Sequence, residues 1–103
     1  MAYVLRFVQH YRPADREAFM NLEAQFCAME QRRDDWVKGT RRQPYSGRTQ
    51  TNTLIWECHF ATLEDVQQTL VHMSSDPEHE ALFKKQAPFM TDAYTEIDEI
   101  LEF

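Results

Sequence analysis

The stretch Thr53-Leu54-Ile55-Trp56-Glu57-Cys58-His59-Phe60 decides the fold. Leu54, Trp56, Cys58 and Phe60 take one parity, and Thr53, Ile55, Glu57 and His59 take the other. Side chains of a strand point alternately to opposite faces, so this is a strand with one apolar side. Working outward, Thr62 precedes Asp65 by three residues, the arrangement of a capping box. Leu63, Val66, Leu70 and Met73 then recur at spacings of 3, 4 and 3, the stripe of a buried helical face. Asp76-Pro77-Glu78 marks a further short helix, because proline suits the first helical position, where no N–H is needed. Leu82 and Phe83 are its apolar anchors, and Pro88 ends it. Residues from about Ala93 to Leu101 supply a last strand, its parity blurred by carboxylates.

Upstream, Tyr3 to Gln9 alternates as cleanly as the central stretch, with Tyr3, Leu5 and Phe7 opposed to Val4, Arg6, Val8 and His10. Pro13 and Asp15 suit a helix start. Phe19, Leu22, Phe26 and Met29 form the stripe of that helix. Trp36 either extends it or closes over its end, and Gly39 stops it. Thr40 to Tyr45 is a weak, polar strand reaching Pro44, which a sheet tolerates only at its edge. Ser46 to Asn52 is a turn-like stretch containing Gly47.

The order β-α-β-β-α-β, with an extra short helix before the last strand, predicts an α+β, ferredoxin-like antiparallel sheet. Residues 1–103 make one such domain, a length that can bury a core without staples. The helices should cover the face of Tyr3, Leu5, Phe7, Leu54, Trp56, Cys58 and Phe60. The other face mixes Val4, Val8 and Ile55 with Arg6, His10, Glu57 and His59. That mixture is too apolar for water and too charged for a dry core. A second copy closing over a polar cavity would satisfy both demands, so a homodimer is expected.

A net charge of −6 disfavours nucleic acid and anionic membrane as partners. Two cysteines, Cys27 and Cys58, read as small core residues rather than a disulfide framework. No apolar run approaches a membrane span, and nothing reads as a secretory signal, so a cytoplasmic location is expected. The histidines His10, His59, His72 and His79 lack the spacing of a zinc site, so no metal is expected. No cofactor is expected either.

Arg6 is the most informative charged residue. The topology sets it between Glu57 and Glu96, either as a structural ion pair or as the anchor of a carboxylate or enolate. His10, His59 and Glu57 share its face and are the candidates for moving a proton, although both histidines could simply meet solvent near strand ends. Arg41, Arg42, Tyr45 and Tyr94 are candidates for a cavity mouth suited to a small organic anion or aromatic ligand. Protection of an edge strand by charge explains the same residues. Two functions fit: a non-catalytic dimer binding a small organic metabolite, or a cofactor-independent enzyme acting on a small aromatic or carbonyl compound.

Trp56 in the central strand, Thr62-Leu63 opening the next helix and Asp76-Pro77-Glu78 together resemble the dimeric α+β barrel superfamily. More narrowly, they resemble its NIPSNAP-like and antibiotic-biosynthesis-monooxygenase-like members. These motifs span about half the chain. His79 stands where the NIPSNAP pattern usually carries Trp. The resemblance implies two sheets closed into a barrel across a two-fold axis. It also implies relatives that include cofactor-independent monooxygenases, isomerases and haem-degrading enzymes. The haem-degrading pattern pairs a first-strand Asn with a Trp and a helical His. Trp56 and His72 could supply the latter two, but no Asn lies on the first strand, so haem degradation is not expected.

Overall fold

The computed structural model describes residues 2–103, which fold into a four-stranded antiparallel sheet with helices on one face. The chain runs β1 (Ala2–Tyr11), α1 (Arg16–Arg32), β2 (Thr40–Arg42), β3 (Thr53–Phe60), α2 (Leu63–Ser75), α3 (Pro77–Gln86) and β4 (Met90–Ile100). Short 3-10 turns at Pro13–Asp15 and Ala87–Phe89 lead into α1 and β4. The strand order is β2-β3-β1-β4, so the α+β, ferredoxin-like expectation holds. The parity of β1 and β3 holds residue by residue. Leu5 faces Cys58, Phe7 faces Trp56, Arg6 faces Glu57 and Val8 faces Ile55. On the other side of β1, Arg6 faces Glu96 and Val8 faces Tyr94.

The helix-facing side carries the core. Leu5, Phe26, Met29, Trp36, Trp56, Cys58, Val66 and Met73 form its main cluster, with Tyr3, Phe7, Phe60, Leu70 and Leu82 against it. A second cluster joins Tyr11, Phe19 and Leu54. Each large apolar side chain so buried contributes about 1.5–3 kcal/mol, and these clusters hold the helices to the sheet.

Several local expectations change. Asp15 does not cap α1 with its side chain; its carboxylate instead accepts from Arg12 Nε at 2.9 Å. Thr62 does cap α2, accepting from the Asp65 N–H at 3.1 Å. Trp36 lies beyond the end of α1 and closes over it. Gly39 ends nothing, since α1 has already stopped at Arg32. Its purpose is space: a Cβ there would fall 2.2 Å from the Trp56 ring.

The open face also differs from expectation. Val8 and Ile55 are only 2% and 6% exposed in the protomer. Val8 sits between Ile55 and Tyr94, and Ile55 between Val8 and Arg42, so long neighbours on both sides shield them. Val4 alone of the three stays half-buried.

Candidate ligand cavity

Helix α1 carries two acids on its buried face. Phe19, Glu23, Phe26 and Glu30 recur at spacings of 4, 3 and 4, so all four share the stripe that meets the sheet. Glu30 is 1% exposed. A carboxylate buried this deeply requires partners, and each of its oxygens has one. Trp56 Nε1 donates to Glu30 Oε1 at 2.9 Å, and Arg41 Nη1 donates to Glu30 Oε2 at 3.1 Å. Arg41 Nε also donates to Glu23 Oε2 at 2.6 Å, and Gln86 Nε2 donates to Glu23 Oε1 at 2.9 Å. Gln9 Nε2 extends the chain by donating to Gln86 Oε1 at 3.2 Å.

Strand alternation in β2 explains how Arg41 arrives there. Arg41 pairs with Trp56 and so takes the helix-facing parity, while Arg42 pairs with Ile55 and takes the other. Burial pulls the Arg41 guanidinium down, but the Glu23 hydrogen bond and both nearby carboxylates outweigh it and hold its pKa above the ordinary value. Burial also pushes the Cys58 thiol up, and the charge of Glu30 adds to this. That thiol is no activated nucleophile.

Gln9, Glu23, Glu30, Arg41 and Trp56 border a cavity of about 340 Å³ between sheet and helices. Phe7, Phe26, Met29, Trp36, Trp56 and Met73 make most of its wall, and Gln9, Glu23, Glu30 and Arg41 its polar end. The exposed residues Ser74, Phe83 and Thr95 stand at its margin and mark the mouth. His79, from the first turn of α3, lines it as well. Its imidazole lies beside Trp36 and Phe26, with ring centroids 5.3 and 5.1 Å away. Burial lowers the His79 pKa, opposed by the charges of Asp76 and Glu80, so the ring is neutral at pH 7.

A clasp below the cavity fixes α3. Asp76 accepts from the His79 N–H at 3.0 Å as the N-cap, and Arg33 grips its two oxygens at 2.7 and 2.8 Å. The guanidinium holds the Asp76 carboxyl well below the usual carboxylate range. Arg33 also lies over the Trp36 ring, 5.0 Å from its centroid, and His72 sits 4.6 Å from that ring.

Of the candidate ligand-binding and proton-transfer residues named from sequence, Arg41 alone lines this cavity. Arg6 lies on the open face as expected, beside Glu57 in register. Its ion pairs, however, run to Asp98 at 3.5 Å and Glu96 at 3.7 Å, while Glu57 pairs with Arg42. His10 is buried on that face, with Nδ1 2.7 Å from Thr53 Oγ1 and Nε2 3.3 Å from the Tyr94 hydroxyl. His59 is exposed, and Tyr45 stands 96% exposed in the connection after β2. The structure therefore brings His10 and Tyr94 together but leaves His59 and Tyr45 apart from them.

Glu23, Glu30, Gln9 and Gln86 are absent from the sequence expectations. A signal for the two acids exists: they interleave with Phe19 and Phe26 at helical spacing. Gln86 offers none. Among the described residues, no group of three or more His, Cys, Asp or Glu is placed to hold a metal ion. None of their helices is long and apolar enough to cross a membrane.

A NIPSNAP family protein from Agrobacterium tumefaciens superposes with a TM-score of 0.77 at 13% identity, covering 99% of this chain and 88% of its own. The chain is NIPSNAP-like in fold. An uncharacterised NIPSNAP-like domain protein from Burkholderia xenovorans gives 0.73 at 18% identity, over 99% of this chain and 87% of that one. A candidate antibiotic biosynthesis monooxygenase from Nitrosomonas europaea gives 0.68 at 13%, over 97% and 90%. At such identities the likeness is one of fold, and a fold fixes no chemistry. No family model and no curated protein matches the sequence.

Proposed function

We propose that this NIPSNAP-like chain is a small-molecule binding protein whose ligand occupies the cavity between the sheet and its helices. One observation carries the reading: an apolar, aromatic-walled space of about 340 Å³ ends in a buried, hydrogen-bonded array of Glu23, Glu30 and Arg41. Apolar walls with a few convergent polar groups are the usual make-up of ligand sites, and this volume falls in their range. A thermal-shift screen of small aromatic compounds tests it. Ligands should raise the melting temperature of the native chain and fail to raise that of Ser74→Trp, in which the mouth is filled. Compounds that stabilise both equally would defeat the reading.

We further infer that the protein works in the cytoplasm as a homodimer joined through the open sheet face. The edge strand β4, exposed along most of its eleven residues, supports this, as does the exposed Tyr94 beside Val8. Unpaired edges and uncovered faces are surfaces that a second copy can close. Sedimentation at micromolar concentration should give the dimer, and a monomer alone would defeat the inference.

A catalytic reading, a cofactor-independent isomerase, has one observation in its favour. Carboxylates of Glu23 and Glu30 border an apolar space also lined by His79, an arrangement able to move a proton on a bound carbonyl compound. Deuterium exchange into a bound ligand, lost in Glu30→Gln, would support it over simple binding.

A further inference from the structure

Two buried carboxylates share one guanidinium at the polar end of the cavity. Arg41 answers both Glu23 and Glu30, which leaves one negative charge in excess. The nearby Lys38 ammonium keeps its charge but stands off the cavity wall and pairs with neither carboxylate: it donates to the backbone carbonyls Arg33 O, at 2.7 Å, and Glu30 O. Glu80, also on the wall, adds a further negative charge, and His79 is neutral at pH 7. Every formal charge on the wall itself other than Arg41 is therefore negative. The rest of the wall is aromatic and aliphatic, with Trp36, Trp56, Phe7 and Phe26 offering ring faces and edges. Ring faces attract cations, most strongly when water is excluded.

We propose that the ligand of this cavity is an organic cation, an ammonium-bearing molecule with a small apolar or aromatic body. The proposal rests on the reading of the cavity as a ligand site and names its chemical class. The carboxylate oxygens each keep an acceptor position beyond the single donor they receive, and an ammonium supplies donors to them. Its positive charge balances the array, while its hydrocarbon part fills the aromatic end. An anion is disfavoured by the same geometry. To reach Arg41 it must approach Glu23 and Glu30, which already hold that guanidinium, and like charges repel strongly where little water screens them. The small organic anion or aromatic ligand expected from the sequence was read from Arg41, Arg42, Tyr45 and Tyr94; of these only Arg41 borders this cavity, and it is already held by two carboxylates.

The test uses three probes of one shape: phenethylammonium, phenethyl alcohol and phenylacetate, titrated calorimetrically at pH 7 against the full chain. The ammonium should bind at least tenfold more tightly than the alcohol, and phenylacetate more weakly than either. Glu30→Gln keeps an oxygen for the Trp56 N–H and leaves Glu23 and Arg41 balanced, so the preference for the ammonium should fall by at least tenfold. Glu23→Gln makes the same charge change and serves if Glu30→Gln does not fold. Ser74→Trp should abolish binding of every probe. If alcohol or phenylacetate equals the ammonium, and Ser74→Trp still blocks them, the cationic class is overturned while the small-molecule reading stands. If no probe binds, or binding survives Ser74→Trp, both are overturned.

Discussion

The two faces of the sheet use the same residue types in opposite ways. On the helix side, Glu23, Glu30 and Arg41 are drawn inside, hydrogen-bonded to one another and set beside a cavity. On the open side, Arg6, Glu96, Asp98, Arg42 and Glu57 form ion pairs whose members are mostly half-exposed or exposed. An exposed pair gains little, because water screens it and ordering two long side chains costs entropy. A buried array has steeper energetics: whole it is tolerable, and missing one member it leaves an unpaired charge in a poor solvent. The inner face is thus where charge constrains the structure, and the outer face is where charge decorates it.

Mutations on the two faces should separate accordingly. Trp56→Ala should have the largest effect, about 3–5 kcal/mol in urea unfolding, the range for truncating a large buried aromatic. It also orphans Glu30 Oε1. Arg41→Met should come close behind at about 3 kcal/mol, since it strips the cation from two buried carboxylates. A change below about 1 kcal/mol, the level of an exposed pair, would put Arg41 in the same class as the outer charges and end the contrast.

Gly39→Ala sharpens the comparison from the backbone side. The added methyl meets the Trp56 ring, and overpacking of this kind typically costs about 1–3 kcal/mol. The cost should vanish in a Trp56→Ala background, a double-mutant test of whether the glycine exists for the tryptophan. Acid should also act from the inner side. The folded-state pKa values of His79 and Asp76 are both depressed, so the unfolded chain binds more protons than the native one as pH falls. The stability tied to His79 is present above its unfolded pKa of about 6.5 and is lost below it; that tied to Asp76 is lost below about 4. Thermal melts from pH 8 to 3 should fall in these two windows, and His79→Phe should flatten the upper one. An unchanged slope between pH 7 and 5 in that variant would remove His79 from the account.

How much of this the sequence revealed follows the same division. Strand parity was legible because its period is two, so Leu5, Trp56 and Cys58 declared one face, Arg6 and Glu57 the other. The pairings Arg6–Glu57 and Arg6–Glu96 followed from topology alone. The ion pair Arg42–Glu57 did not, since β2 is three residues long and gives almost no alternation to read. A cavity was expected on the open face, where apolar and charged residues mix and a second copy would close over them. The one between sheet and helices was not legible, because Glu23 and Glu30 interrupt the apolar stripe of α1 and read as solvated acids. Asp76-Pro77 announced α3, but its clasp by Arg33 joins residues 43 apart, beyond any local pattern.

The smallest effect expected is the most discriminating for the outer face. Arg6 pairs with carboxylates that are half-exposed in the protomer, so Arg6→Leu should change the stability of the monomer by only about 0–1 kcal/mol. The same substitution gains weight if a second copy covers the sheet. Glu96 and Asp98 would then lose both their cation and their water, and breaking a pair so enclosed costs about 3–5 kcal/mol. Unfolding of native and Arg6→Leu chains across a thousandfold range of concentration distinguishes the cases. The difference between them should be near zero in the dilute limit and should grow as the dimer forms. A difference that is large at every concentration would make Arg6 as constrained as Arg41, and the two faces would no longer differ in kind. One that stays near zero throughout would leave the outer face in water and the homodimer without its interface.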